Sequence, residues 1–536
     1  MASKPSKPKP LTFPFILFLI ALLIFTILYL KQLHNEFHTQ PKSARNPKWF
    51  EIVAGEMGDE NINIGFVNMA GTTITDEVHT RGKMVKVHFN PVDEGIEWSD
   101  LFPEWIDENS TSNCLELPMP KFEDYGKLDV VVARVPCTGD SGLRNVFRLQ
   151  VNLVVANLLV RSGRMENAIS RPVFAVFIGS CGPMWEIFRC DDLLWHGGNS
   201  WIYKPELRRV KQKVFMPVGS CQLAPPFAQS GEELWRRHSE TSNKGMPREA
   251  YVTVLHSSEA YVCGAIALAQ SIIQSNSTKD LVLLADDHIS EKSIKGLRSA
   301  GWKIKRIKRI RSPHSEKDAY NEWNYSKLRI WQLREYDKVM FIDSDLIVTR
   351  NLDDFFIYPQ LSAVGNDKHI FNSGLMLVEP SICTFKTLMN KRFVVGSYNG
   401  GDQGFLNEVF PWWHRLPAKL NQLKFFGFDH DYTHEIPHDM YAIHYLGLKP
   451  WMCYKDYDCN WDKSETQIFA SDSANERWWR VYDTMPKKLR HFCSLTPAMD
   501  ARIQKYRSRQ RMLVFLMGTG RSGSKTLEEI QCDSFY

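Results

Sequence analysis

Between residues 250 and 342 the sequence alternates short apolar runs with helical patterns, and the runs are apolar on both faces. "AYVTVLHS" (250–257), "DLVLLADD" (280–287), a run near 302–307 and "DKVMFI" (337–342) read as strands. "EAYVCGAIALAQSII" (259–273) and segments near 290–300 and 321–335 read as helices. A strand that is apolar on both faces must be covered on both, so this stretch predicts a parallel sheet flanked by helices. No G-x-G-x-x-G follows the first strand, so the dinucleotide fingerprint of that architecture is absent.

The last of these strands stops on Asp343-Ser344-Asp345. Two carboxylates one residue apart repel unless a cation lies between them. Along an extended chain residues two apart point to the same side, so Asp343 and Asp345 can share one hard divalent cation with Ser344 facing away. Ligands of open α/β sheets gather beyond the carboxyl ends of the strands, where this pair stands. The rival reading is ordinary turn chemistry, since Asp and Ser are common at strand ends.

Three further clusters follow in order. "FNSGLMLVEPS" (371–381) puts Asn372, Ser373 and Gly374 just before a strand. "YNGGDQGFLNEVF" (398–410) puts Asn399, Gly400, Gly401, Asp402 and Gln403 at a helix start, and "HYLGLKPW" (444–451) sets His444, Tyr445, Leu446, Gly447 and Leu448 before Lys449. Each has a plain alternative: a loop and helix cap for the glycines, a core histidine for His444.

As a series, DSD, FNSG, GGDQG and H-x-L-G with K-P-W resemble the glycogenin-like branch of retaining glycosyltransferases, family eight, over about 250–455. Within that family the chain is most similar to the plant glucuronosyltransferases that decorate xylan. The resemblance implies an α/β fold of GT-A type, a Rossmann-like mixed sheet flanked by helices, and a Mn²⁺-dependent transfer from UDP-glucuronate to xylan. It implies Asp343, Asp345 and His444 as the metal ligands and Lys449 as the cation on the nucleotide diphosphate. Asn372, Ser373, Gly374 and Asn399 to Gln403 would form the donor-sugar pocket, with Leu255 and Tyr261 packing the uracil and Lys327 near the diphosphate. Ser344 and the 445–448 segment fall within the same substrate-binding motifs. Of the two candidate catalytic groups, Lys449 would stabilise the leaving UDP, and Asp402 would position the sugar rather than attack it. Two carboxylates and one imidazole suit Mn²⁺ better than Ca²⁺.

There are two departures from the family. Glycogenin-type sequences often carry Asp where Asn399 stands, a change that favours an anionic donor, and the segment from Gly447 to Pro450 is one residue shorter than in glycogenin. Alternatives to the first reading are a family member using UDP-glucose, UDP-galactose or an inositol lipid, and a non-catalytic Golgi scaffold.

Outside this region, Leu11 to Leu30 holds no charged residue and would span roughly 30 Å as a helix. It reads as a single transmembrane signal anchor, with Lys4, Lys7 and Lys9 keeping a cytoplasmic tail (1–10) on the near side. With the family resemblance this gives a single-pass type II Golgi membrane protein whose catalytic domain is lumenal, open to complexes with other cell-wall transferases. Residues 31–50, with Pro41 and Pro47, read as a stem. Residues 51–235 read as an accessory α/β region, with strands in "LDVVVARV" (128–135) and "RPVFAVFIGS" (171–180) around a helix within 141–163. Its Asp191, Asp192 and His196 form either a metal set or, on the preferred reading, a solvated loop.

Residues 456–536 read as a C-terminal extension. There "LVFLMGTGRSGSKTLEEI" (513–530) reads as a strand and glycine-rich loop, but Ser524 stands between the last glycine and Lys525, unlike a phosphate loop.

A net charge of +5 asks for no nucleic-acid partner. The basic run "KIKRIKRIR" (303–311) reads as a solvated strand edge, with acidic glycans or lipid as the alternative partner. Eleven cysteines without a C-x-x-C pair speak against a zinc ribbon and for disulfides, with Cys453–Cys459 and Cys181–Cys190 as candidates by proximity. Sequons at Asn109, Asn276 and Asn324 are compatible with a lumenal location.

Overall fold

The computed structural model of the chain describes residues 24, 26, 46–58, 61–69, 78, 82–109, 114–137, 143–163, 172–225, 247–367, 369–427 and 433–518. Nearly all of the expected anchor and stem, and the glycine-rich segment from residue 519, lie outside these. Among the described residues no helix is long and apolar enough to cross a membrane. One compact unit takes in residues 1–62 and 70–83 and carries helix α1 (Lys48–Met57), which Gly58 closes in the left-handed conformation at φ 64°. The second unit takes in 63–69 and 84–536 and holds everything described below.

Its first sheet is built from β1 (Ile64–Val67), β2 (Met84–Val87), β3 (Val130–Arg134), β4 (Phe174–Ile178), β5 (Leu193–Gly197) and β6 (Ser200–Tyr203), in the order β2-β1-β3-β4-β6-β5. The first four are parallel and the last two antiparallel additions. Helix α2 (Val146–Ser162) makes the crossover from β3 to β4 and is buried around most of its circumference. That explains its lack of a polar stripe. Helix α3 (Leu207–Val214) follows, with Glu206 accepting hydrogen bonds from the first-turn N–H groups.

The second sheet contains β7 (Glu249–Leu255), β8 (Asp280–Ala285), β9 (Lys303–Arg306) and β10 (Lys338–Ile342), all parallel. Helices α4 (Val262–Gln274) and α5 (Glu291–Ala300) connect them. The strand β11 (Leu346–Val348) leaves this sheet, and β12 (Ser362–Asp367) and β13 (Ile370–Val378) return to it. After helices α6 (Ile382–Lys391) and α7 (Asp402–Val409) comes β14 (His414–Leu416). The order is β14-β12-β13-β10-β7-β8-β9, with β13 antiparallel to both neighbours, so the four strands read as parallel are parallel and the sheet as a whole is mixed. A three-stranded sheet joins β11 to β15 (Gln422–Leu423) and β16 (Ala442–His444). Helices α8 (Asp472–Thr484) and α9 (Pro497–Gly518) complete the unit.

Three local expectations change. The segment near 321–335 is a 3₁₀ helix over Asn324–Gln332, whose three-residue turn stacks Tyr325, Leu328 and Trp331 in the core, each fully buried. Asn372, Ser373 and Gly374 lie inside β13 rather than before it, because β13 runs on to pair with β12. Residues 513–517 continue the helix that begins at Pro497 rather than form a strand.

Among the described residues there are five disulfides: Cys114–Cys221, Cys137–Cys181, Cys190–Cys383, Cys263–Cys493 and Cys453–Cys459. Cys181 does not pair with Cys190. It follows β4 beside the end of the parallel strand β3, where Cys137 lies, while Cys190 faces Cys383 on α6. Cys532 is outside the described residues.

Asp191, Asp192 and His196 do not form a metal set. Asp191 accepts from Ser381 and Arg189, Asp192 pairs with Arg209 at 2.6 Å, and His196 stacks on Trp201. The basic run begins in edge strand β9 and is largely neutralised: Lys303 pairs with Asp280, Lys305 with Glu335, Arg306 with Glu291 and Arg311 with Glu322.

The two larger sheets share one hydrophobic core, in which Val131, Leu153 and Phe177 belong to the same cluster as Val252, Phe341 and Trp412. Polar contacts cross the same seam. Arg189 pairs with buried Glu379 at 2.7 Å, Arg144 grips Glu408 and the Asn407 carbonyl of α7, and the Trp185 indole donates to the Val409 carbonyl at its end. Burial would raise Glu379, but Arg189, Lys338 and Lys213 hold it down to about 2. Replacing Arg189 by Ala removes the nearest of these cations, and denaturant titration is expected to show a loss of about 3 kcal/mol.

Candidate active site

The strand β10 ends at Ile342, and the chain passes through Asp343-Ser344-Asp345 into β11, which belongs to the small sheet. The aspartates therefore form the link between two sheets. Asp343 N–H is bonded to the Gly374 carbonyl of β13 at 2.8 Å, so β13 extends alongside the link. Antiparallel pairing of β11 with β16 sets His444 opposite Leu346, and Tyr445 N–H donates to Asp345 O at 3.0 Å. This pairing brings an imidazole from about a hundred residues downstream to the acidic pair. Ligand atoms of Asp343, Asp345 and His444 lie within 4.8 Å of one another.

The imidazole is oriented by amides. His444 Nδ1 lies 3.1 Å from Asn421 Oδ1, Asn421 Nδ2 donates to Asn372 Oδ1 at 2.8 Å, and Asn372 Nδ2 donates to Asn366 Oδ1 at 2.9 Å. With an amide oxygen accepting from Nδ1–H, Nε2 is the nitrogen turned to Asp345 Oδ1 at 3.3 Å, the ring orientation that would present the Nε2 lone pair to a bound metal. Gly374 leaves room for the ring: a Cβ there would stand 2.6 Å from His444 Cε1 and 2.8 Å from Asn372 Oδ1. Gly264 of α4 does the same for the link, since a Cβ would meet the Ser344 carbonyl and the Trp451 ring.

Two lysines answer the carboxylates. Lys449 Nζ is 2.7 Å from Asp345 Oδ2, and Lys327 Nζ is 2.6 Å from Asp402 Oδ2 and 3.4 Å from Asp343. Burial would lower both ammonium groups, but their carboxylate partners outweigh it and keep them charged. Burial would likewise raise Asp345, but Lys449 and His444 hold it well below the usual carboxylate range. Asp343, partly buried and facing Asp345 and Asp402, is pushed up to about 6 despite Lys327. Proximity of the two acids thus separates them electrostatically, one firmly ionised and one poised.

Helix α7 begins at Asp402, and Gly400 precedes it at φ 67°, a conformation that favours glycine. Asp402 Oδ2 also accepts from Ser373 Oγ at 2.9 Å, and Gln403 Oε1 accepts from Ser373 N–H at 3.1 Å. Asn399 is used differently from the expectation: its Oδ1 accepts from Gly401 and Gly404 N–H at 3.0 and 3.2 Å and so caps α7. Tyr445 is fully buried and donates to the Ala474 carbonyl, and Leu255 lies in the core, so neither side chain is open to a ligand. Leu446 and Leu448 flank Gly447, which adopts φ 71° against Asn460, and Leu448 N–H donates to Asn460 Oδ1. Tyr261 packs edge-on against Trp451, with Lys449 5.9 Å from its ring centre. The structure thus gathers Asp343, Asp345, His444, Lys449, Lys327, Asn372, Ser373, Gly374, Asp402 and Gln403. Asn366, Asn421 and Gly264 lacked any spacing signal, because their roles come from strand pairing and helix packing.

His256 and Asp286 also stand beyond the ends of β7 and β8. Burial first, then Lys327 and Arg309, push His256 down to about 4 against the pull of Asp286 and Asp402. Asp286 accepts from Ser257 N–H at 3.0 Å and holds that residue at φ 67°.

Comparison with known proteins identifies the family. The glycosyl transferase family 8 model matches residues 252–359, and the GUX1-5 N-terminal domain model matches 39–221. UDP-glucuronate:xylan alpha-glucuronosyltransferase 2 of Arabidopsis thaliana is 50% identical over 86% of this chain and 79% of its own. UDP-glucuronate:xylan alpha-glucuronosyltransferase 1 of the same plant is 40% identical over 91% and 77%. Human glycogenin-1 is 29% identical over 45% of this chain and 73% of its own. Among solved structures, galactosyltransferase LgtC in complex with donor and acceptor sugar analogs shares 16% identity over 45% of this chain and 99% of that one, at a TM-score of 0.32. The chain is a glycosyltransferase. It belongs to glycosyl transferase family 8, in the group whose members carry a GUX1-5 N-terminal domain ahead of the transferase domain.

Two outcomes test this geometry. Because a metal must displace the Asp343 proton, divalent-ion affinity should be steady above pH 7 and fall by about tenfold per unit below pH 6, as measured by calorimetry. Gly374→Ala should cost about 10- to 100-fold in that affinity, with an unchanged far-UV spectrum, by displacing the imidazole.

Proposed function

We propose that this chain transfers glucuronic acid from UDP-glucuronate to the backbone of xylan, retaining the anomeric configuration, with Mn²⁺ held by Asp343, Asp345 and His444. The observation that carries the proposal is the convergence of those three ligands at the end of β10, with Lys449 and Lys327 on either side. Relatives 40–50% identical over most of both chains are named for this reaction. Two carboxylates and an imidazole fit the preference of Mn²⁺ for mixed oxygen and nitrogen donors. When bound, such an ion supplies Lewis-acid stabilisation of the departing diphosphate.

The chain's own residues would do the rest. Lys449 holds a buried positive charge beside the ligand set, where charge develops on leaving UDP. Asp402 is committed to Lys327 and Ser373, so its carboxylate serves as a fixed acceptor for sugar hydroxyls, a poor arrangement for covalent attack. Gln403, bonded to Ser373 N–H, would lie beside the same sugar, and Asn399 would act through the cap of α7. The acceptor hydroxyl would then attack from the face that UDP leaves.

By the same reading, residues 250–455 are a GT-A transferase domain, 51–235 an accessory region, and 456–536 an extension. A cytoplasmic tail, the 11–30 anchor and a 31–50 stem would place them in the Golgi lumen, a setting that suits five disulfides. The test is transfer to xylo-oligosaccharides from a panel of UDP-sugars. UDP-glucuronate should be the preferred donor, and Asp343→Ala and Asp345→Ala should each lower transfer at least about 100-fold. Retained transfer in both variants would remove the site, and preference for UDP-glucose or UDP-galactose would replace the donor.

A further inference from the structure

A glucuronosyl donor differs from a glucosyl donor by one carboxylate, and a pocket that selects it needs a cation not already engaged. The charge balance of the site is close. Three carboxylates (Asp343, Asp345, Asp402) face two ammonium groups (Lys327, Lys449), a divalent ion reverses the excess, and the two phosphates of a nucleotide sugar reverse it again. A further carboxylate from the sugar would be unmatched by any of these groups. Burying an unmatched charge is costly, so a donor-selective site should contain a separate cation.

Among the described residues around the site, Arg309 meets that requirement. In the basic run, Lys303, Lys305, Arg306 and Arg311 each have a carboxylate partner, and Lys308 is exposed. Arg309 is half-buried and has no carboxylate partner among the described residues. Its guanidinium lies over the Trp323 ring at 3.7 Å and donates to Ser257 Oγ at 3.2 Å, which pre-orients the group and leaves most of its N–H fork free.

Arg309 is also tied to the pocket walls. Ile310 N–H donates to Ser326 Oγ, next to Lys327, at 2.9 Å, and Ser312 Oγ donates to the Gly400 carbonyl, two residues before Asp402, at 2.7 Å. Trp323 opens the 3₁₀ helix that carries Lys327. Ser257 lies just past the end of β7, and β7 is hydrogen-bonded beside β10, whose end bears Asp343. His256, bonded to Ser257 Oγ, feels both the Arg309 guanidinium and the Asp402 carboxylate.

We infer that Arg309, braced by Trp323 and Ser257, pairs with the carboxylate of a uronic-acid donor and so sets the preference for UDP-glucuronate over uncharged nucleotide sugars. This rests on the proposed glucuronosyl reading. Planar bidentate pairing is the ordinary way a guanidinium recognises a carboxylate.

Calorimetric titration of the purified full-length chain with UDP, UDP-glucose and UDP-glucuronate, in the presence of Mn²⁺, tests the inference. Arg309→Leu should weaken UDP-glucuronate binding by about 10- to 100-fold, change UDP and UDP-glucose by less than about twofold, and leave the melting temperature unmoved. Arg309→Lys should recover part of the loss, because charge without the planar fork pairs less well. A parallel loss for all three ligands would assign Arg309 to the nucleotide and overturn the inference, as would undiminished UDP-glucuronate binding by Arg309→Leu. If the unaltered chain binds UDP-glucuronate no better than UDP-glucose, the donor assignment itself falls, a result visible before any variant is made.

Discussion

Two like charges held together inside the protein are the constraint to which the rest of the site answers. Asp343 and Asp345 sit on a three-residue link between sheets, with only a third and an eighth of their side-chain surface exposed. Burial and mutual repulsion oppose full ionisation of such a pair, and the two members part: Asp343 is raised, while Lys449 and His444 hold Asp345 down. The neighbours divide the work. Lys449 and His444 attend to Asp345, Lys327 bridges Asp343 to Asp402, and the amides of Asn421, Asn372 and Asn366 keep the imidazole aimed inward. Each comes from a different element, so the geometry exists only when β11, β13, β16 and α7 are all in place.

Much of this was legible in the chain. The alternation from 250 to 342 locates the strand that ends on Asp343, and helix α7 begins at Asp402 beside the paired glycines, as the GGDQG segment suggested. What the sequence withholds is anything decided by pairing across the sheet. Asn372 and Ser373 read as a loop before a strand because polar residues favour turns, yet β12 extends the ladder past them. Asn399 reads as a ligand group and is spent on a helix end. Tyr445 shares its motif with His444 but points the other way, as successive residues along an extended chain do. Cys181 lies nearer Cys190 in sequence, whereas parallel strands carry it to Cys137.

The first sheet was expected as a region of separate and unknown role. Its residues reach the far end of the helix whose first residue is Asp402: Arg144 holds the Glu408 carboxylate and the Asn407 carbonyl, and Trp185 both donates to the Val409 carbonyl and stacks on Phe410 at 4.5 Å. Carbonyls at a helix end have no partners within the helix, and a guanidinium and an indole satisfy them here. Asn407 adds a two-way bond to the Phe371 backbone in β13. The accessory sheet therefore fixes the direction along which the helix presents Asp402 and Gln403.

The disulfide pattern has a consequence for biosynthesis. Cys190–Cys383 crosses both Cys114–Cys221 and Cys263–Cys493, and the last of these closes a span of 230 residues. As a nascent chain emerges amino end first, Cys190 is exposed beside Cys137, Cys181 and Cys114 long before its partner on α6 has been made. Early oxidation would trap wrong pairs, and thiol–disulfide exchange would then govern how fast the polypeptide matures. Yield in a cell should accordingly follow the capacity of its isomerases more closely than the rate of translation.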